Sequence, residues 1–115
     1  VPDPRRDPVE LPDGAELVLA VVESIPPGRV MSYGAIAEVV RERDGHLASA
    51  RSVGSVMARW GGAVPWHRVV SAAGRLPPGH EHHARERLER EGVPFRNDHV
   101  DMRKAAWYPD ERPQP

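Results

Sequence analysis

Proline and glycine cut this chain into short pieces, and that limits its fold more than any other feature. Pro26-Pro27-Gly28, Asp44-Gly45, Pro65, the loop Ala73, Gly74, Pro77, Pro78 and Gly79, and finally Gly92 interrupt the hydrophobic pattern one after another. Proline within a helix or central strand removes a backbone hydrogen bond and clashes with the preceding turn. What remains between the breaks suits helices of about three turns and very short strands. Seven of the 13 prolines (Pro2, Pro4, Pro8, Pro12, Pro109, Pro113 and Pro115) crowd into the two ends. They predict Pro-rich disordered tails over 1–13 and 108–115 around one ordered domain, 14–107. At 115 residues the chain has room for one small core and no second ordinary domain.

Within those limits the apolar spacing predicts a mainly α fold. Asp13 can cap a first helix whose Leu17, Val18, Val21, Val22 and Ile25 form one stripe. Arg29 to Met31 favours β structure, and Ser32 can cap a second helix with Tyr33, Ile36, Ala37 and Val40 on one face. A third helix is expected over Ala48 to Trp60. At 100° per residue Ala50, Val53, Gly54, Met57 and Trp60 share one arc, while Arg51, Ser52, Ser55, Ala58 and Arg59 share the opposite one. Small side chains flanked by arginines let a helix approach a groove wall closely. Two helices joined by a short Gly-containing turn, the second of them basic, read as a helix-turn-helix. Beyond Pro65 the run Trp66 to Val70 reads as β-rich. A last helix follows over Glu81 to Glu91, with Gly92 at its C-cap. Ala84, Leu88 and Glu91 share one stripe on that helix, so Glu91 points inward and needs a hydrogen-bond partner.

Composition narrows the chemistry. There is no cysteine, which excludes disulfides, thiolate metal sites and a cysteine nucleophile. No apolar run approaches the roughly 20 residues of a membrane span, and no secretory signal is visible. The formal net charge is -1, but it is uneven: residues 1–28 carry -4, residues 29–75 carry +4 and residues 76–115 carry -1. A basic middle concentrates positive potential where phosphates can meet it, although a salt-bridged, solvated surface would look the same by count. His80, His82 and His83 are the one cluster resembling metal ligands, and a solvated helix start accounts for them better; no metal or cofactor is expected.

The segments IPPGRVMSYGAIA, ARSVGSVMARW and VPWHRVV, in that order, resemble the three signature segments of the DNA-binding domain of the O6-alkylguanine-DNA alkyltransferases, over roughly Leu17 to Glu91. PxHRV is the most diagnostic of the three. Its second position is cysteine in true transferases and Trp66 here, the pattern of the alkyltransferase-like branch. The resemblance implies a small helical domain with a helix-turn-helix or winged-helix element that binds the minor groove and flips a nucleotide into a pocket. It further implies that Tyr33 crowds the phosphate of the target nucleotide and that Arg51 fills the vacated stack. Ser52, Ser55 and Arg59 would face DNA from the same helix, and Pro65 and Trp66 would line the pocket under a loop beginning at Val70 to Gly74. His67 and Glu91 match the pair that, with a water, deprotonates the transferase cysteine, and are vestigial on this reading. Each residue also has an ordinary reading: Tyr33 and Trp66 as core aromatics, Arg51 as a surface arginine, His67 and Glu91 as a structural pair.

The chain departs from the transferase pattern in three places. Indole cannot replace a thiolate, because its nitrogen lone pair belongs to the ring system and the N–H only donates. Leu76, Pro77 and Pro78 stand where transferases usually have a tyrosine and a serine, which suits a roomier pocket. Trp60 and a shortened stretch before Pro65 replace an asparagine-containing hinge. The expected function is non-catalytic recognition of O6-alkylguanine in duplex DNA. The resemblance implies nucleotide-excision-repair proteins as partners, and a monomer in the cytoplasm, associated with the nucleoid in a bacterium, is the simplest setting. Two alternatives stay open: a base hydrolase or glycosylase using His67 and Glu91, and a sequence-specific winged-helix regulator.

Overall fold

Helix α1, Ala15–Glu23, turns Val18, Val21 and Val22 inward as its spacing requires. The structure, a computed structural model, describes residues 14–45 and 47–109. The tail expected over 1–13 lies outside the described residues, as does the Asp13 cap. The N-cap position is taken by Gly14, left-handed and without a side-chain bond. Ser24 closes the helix and Ile25, just beyond it, is buried, so the Pro26-Pro27-Gly28 turn starts from the core.

Strand β1, Met31–Ser32, leads directly into helix α2, Tyr33–Asp44. Ser32 caps that helix as expected, its Oγ accepting the Ala35 N–H at 3.1 Å, and Gly45 ends it at φ 67°. Helix α3 spans Ala50–Trp60 and begins two residues later than the spacing predicts. Ser49 is its N-cap, and Ser49 and Ser52 form a reciprocal capping box that satisfies two N–H groups at once. Ala50, expected to face inward, is exposed in the first turn, whereas Val53 is fully buried.

The β-rich reading of Trp66 to Val70 holds only for its second half. Trp66–Arg68 winds into a 3-10 turn started by Pro65, and only Val69–Val70 is a strand, β2. Strands β1 and β2 pair in parallel, Met31 with Val69 and Ser32 with Val70. Helix α4 runs Glu81–Arg90, Glu91 takes the C-cap, and Gly92 follows in the left-handed region at φ 84°. An antiparallel hairpin, β3 (Phe95–Arg96) and β4 (His99–Val100), and a one-turn helix α5, Met102–Ala105, complete the domain. Neither is predicted by the spacing, since two-residue strands carry no periodicity to read.

Two apolar clusters result. One joins α1, α2 and α3 through Val22, Ile36, Val40 and Val53, and the other joins α4 to the hairpin and α5 through Leu88, Val100 and Ala105. The C-terminal segment returns across both: Val30 bridges Ala106, and Arg29 Nε donates to Ala105 O at 3.1 Å. Tyr108, placed by composition in the second tail, packs on the first cluster and donates its hydroxyl to Glu42 at 3.2 Å. Asp110 onward lies outside the described residues.

Candidate nucleic-acid interface

Burial of Val53 fixes the rotation of α3, so its opposite arc faces out. Arg51, Ser52, Ser55, Ala58 and Arg59 are all exposed. The side chains of Arg51 and Ser55 make no hydrogen bond or ion pair with any other described residue. Ser52 is engaged at the helix end, accepting the Ser49 N–H and donating to Ser49 O, each at 3.0 Å. Arg59 lies over the Trp60 ring at 5.5 Å from its centroid.

Tyr33 opens α2 immediately after β1. It is half-buried against the first cluster, and burial pushes its hydroxyl above the ordinary value of 10.0. It also lines a cleft of about 930 Å³ with Ser71, Leu76 and Pro78 of the covering loop and Arg85 and Glu89 of α4. Pro65 and Trp66 are not among the residues lining that cleft. The 3-10 turn places the indole against α4 instead, edge-on to His67 at 6.0 Å and to His80 at 5.6 Å, with the Arg87 guanidinium over the ring at 5.6 Å. The loop itself is pinned at Gly74. Its φ is 87°, and a Cβ there would meet Val100 O at 2.4 Å, so only glycine fits while Gly74 O accepts the Val100 N–H.

Behind Trp66, the inward carboxylate expected from the α4 stripe has four hydrogen bonds. Glu91 Oε1 accepts from Gly28 N–H at 3.2 Å and Arg68 Nε at 3.1 Å; Oε2 accepts from Arg68 Nη2 at 2.7 Å and His67 Nε2 at 2.9 Å. Burial alone would push the Glu91 carboxyl up, but the bonds from Arg68, His67 and Gly28 outweigh it and bring it down to about 2. Burial also holds His67 below its ordinary 6.5, a pull that the Glu91 bond and charge oppose without cancelling. Near neutral pH the ring is therefore uncharged, donating from Nε2 and leaving Nδ1 as an acceptor. Nδ1 is buried and has no hydrogen-bond partner among the described residues. The arrangement could deprotonate a thiol placed beside Nδ1, and the chain contains none.

Arg68 went unassigned in the sequence although it adjoins His67 in PxHRV. It grips Glu91 with two nitrogens and donates from Nη1 to Ile25 O at 2.8 Å. His80 and Arg87 were missed as well: nothing in their spacing to Trp66 shows the contact, which only the packing of the turn on α4 creates. The three histidines of the α4 start do not gather a metal site; no group of three or more His, Asp or Glu side chains able to hold a metal ion occurs among the described residues.

A cationic outer helix behind a short turn, in a domain that also holds a His67–Glu91 pair at 2.9 Å, defines a small helix-turn-helix protein. The chain belongs to the family described as 6-O-methylguanine DNA methyltransferase, DNA binding domain, whose model matches residues 14–93. It is 31% identical over 97 residues to a DNA base-flipping protein of Vibrio parahaemolyticus, covering 80% of this chain and 93% of that one. It is 38% identical over 82 residues to alkyltransferase-like protein 1 of Schizosaccharomyces pombe, covering 66% of this chain and 72% of that protein. The crystal structure of the S. pombe protein with damaged DNA containing O6-carboxymethylguanine superposes with a TM-score of 0.67 at 31% identity, over 83% of this chain and 94% of that one. An O6-methylguanine methyltransferase of Mycobacterium tuberculosis gives 0.58 at 32% identity, over 71% of this chain and 50% of that longer one. The fold is thus the mainly helical domain that the resemblance implied.

Proposed function

We propose that this protein recognises O6-alkylated guanine in duplex DNA, turns the damaged nucleotide out of the stack, and holds it without reacting. The observation that carries this reading is Trp66 in the cysteine position of PxHRV, beside an intact His67–Glu91 pair and an exposed small, cationic α3. The relatives named DNA base-flipping protein and alkyltransferase-like protein 1, and the S. pombe complex with damaged DNA, support it. Tyr33 crowds the target phosphate, Arg51 fills the gap in the stack, and Pro65 and Trp66, which lie outside the cleft that Tyr33 lines, form the wall that the flipped base meets; Ser52, Ser55 and Arg59 meet the groove. Flipping costs a few kcal/mol, less for a lesion that already weakens its own pair, so part of the discrimination comes from the DNA. A persistent, bent complex is a signal repair machinery can read, and nucleotide-excision-repair proteins are its proposed readers.

The unpartnered Nδ1 of His67 favours a second reading, in which that atom activates water against the flipped base. One experiment separates the two. Affinity is measured for matched duplexes with and without O6-methylguanine, and protein and DNA are then weighed by mass spectrometry. Recognition without reaction predicts tighter lesion binding with both masses unchanged. Free base released at turnover establishes the hydrolase, and equal affinity for both duplexes removes lesion recognition.

A further inference from the structure

His80, Ala84, Arg87 and Glu91 are spaced by four, three and four residues, so they lie in one row along α4 and its caps. The 3-10 turn carrying Trp66 packs on this row. Ala84, in the middle, is fully buried and too small to hold a large ring away from the helix. His80 at the N-cap meets the indole at 5.6 Å and 63°, and the Arg87 guanidinium, two turns along, covers the ring at 5.6 Å from its centroid. Both approaches lie within the range of edge-to-face and cation–π attraction. The third neighbour is His67, perpendicular to the indole at 84°.

We propose that His80 and Arg87 are positioning residues that clamp the Trp66 indole on α4 and thereby set the wall that a flipped base meets. The proposal deepens the function proposed above and rests on it for its DNA arm alone. A tryptophan at the end of a single 3-10 turn has χ1 and χ2 free unless neighbours fix them, and a wall that swings cannot favour one base over another. Arg87 sets one face with its charge, His80 sets an edge, and the small Ala84 lets the ring lie close. The guanidinium also acts on the ring behind: its charge opposes protonation of His67.

The test begins in the free protein. In a Trp60→Phe, Trp107→Phe background, Trp66 is the sole tryptophan, and excitation at the red edge, where the two tyrosines do not absorb, reports on it alone. Arg87→Ala and His80→Ala should each shift its emission and lower its anisotropy, while Arg87→Lys, which keeps a cation, should restore much of the original signal. Unchanged emission and anisotropy in both alanine variants, at unchanged far-UV dichroism, would overturn the clamp. The DNA arm compares lesion-bearing and undamaged duplex at fixed salt. Arg87→Ala should cut the preference about two- to fivefold, the range expected for one cation–π contact of an exposed guanidinium. Arg90→Ala, an exposed cation of the same helix, should leave the preference unaltered. Equal losses on both duplexes for Arg87→Ala would make it a phosphate contact and overturn its positioning role. Absence of lesion preference in the parent protein would instead sink the proposed function, and the emission result would still decide the clamp.

Discussion

With its carboxyl brought down to about 2, Glu91 stays ionised through most acid conditions, and His67, held below 6.5 by burial, stays neutral to lower pH than a free imidazole does. The two depressions give stability a sign on the pH axis. The unfolded chain takes up a proton at His67 before the folded one does, so stability declines as pH falls below about 6.5. The Glu91 contribution is complete above its ordinary 4.5 and is lost as pH falls from there toward about 2. Thermal melts from pH 8 to pH 3 should therefore fall in two stages, and His67→Gln should abolish the first while keeping the second. A single decline in both proteins would mean that His67 does not titrate between its folded and unfolded environments. For the proposed function the decisive residue is Arg51. A plug acts only when a base has left the stack, so Arg51→Ala should remove roughly 1 to 3 kcal/mol of lesion preference with little effect on undamaged duplex. Arg59→Ala, on the same exposed arc, is the control for a groove contact, and fluorescence anisotropy at one salt concentration reads both. Equal losses on the two duplexes for Arg51→Ala would reduce it to an ordinary phosphate contact.

Helix ends decide what α3 can present, and here one residue has two claims on it. Ser52 faces outward among the residues proposed to meet DNA, yet its hydroxyl closes the capping box with Ser49. The capping geometry predicts that Ser49→Ala and Ser52→Ala each cost about 1 kcal/mol of stability, read as a lowered Tm. If Ser52→Ala weakened DNA binding at unchanged Tm, the DNA role would be primary and the cap incidental. The helices themselves were legible from periodicity, Ile36 with Val40 in α2, Val53 with Met57 in α3 and Ala84 with Leu88 in α4, and in α2 the Ser32 cap agreed with it. The hairpin was not. Phe95–Arg96 and His99–Val100 are too short to alternate, and the signal on offer was Asn97-Asp98 between them, with Asn97 at φ 56° supplying the positive φ such a turn demands. The site divided in the same way. The inward aim of Glu91 could be read from the α4 stripe and its pairing with His67 from the motif. The Arg68 grip and the Trp66 clamp needed the 3-10 turn, which no residue pattern around Pro65 announced.

Seen across the whole molecule, the +4 of residues 29–75 overstates what is available to phosphate. Arg68 spends its guanidinium on Glu91 and Ile25 O, and Arg29 donates into the returning C-terminal segment. The exposed Arg51, Arg59 and Arg75 remain on the proposed DNA side. Affinity for undamaged duplex should fall steeply with salt, and removing Arg59 or Arg75 should lower the slope of log K against log salt by about one, whereas removing the plug Arg51 should leave that slope nearly unchanged. Arg68→Ala should leave that slope alone while destabilising the fold, because it strips a carboxylate of its main partner. A slope that changes with Arg68 and not with Arg59 or Arg75 would place the interface elsewhere. The two apolar clusters also explain how strands of two residues can be trusted to find each other. Met31 and Val69, paired across β1 and β2, both belong to the first cluster, while Val30 and Val70 belong to the second. A slip of one residue would turn each side chain toward the wrong cluster, so the mistake is penalised on both faces at once. A pairing of only two residues is thereby proofread by the two bodies of packing it separates, and Tyr33 and Ser71, one residue beyond its paired ends, inherit that accuracy.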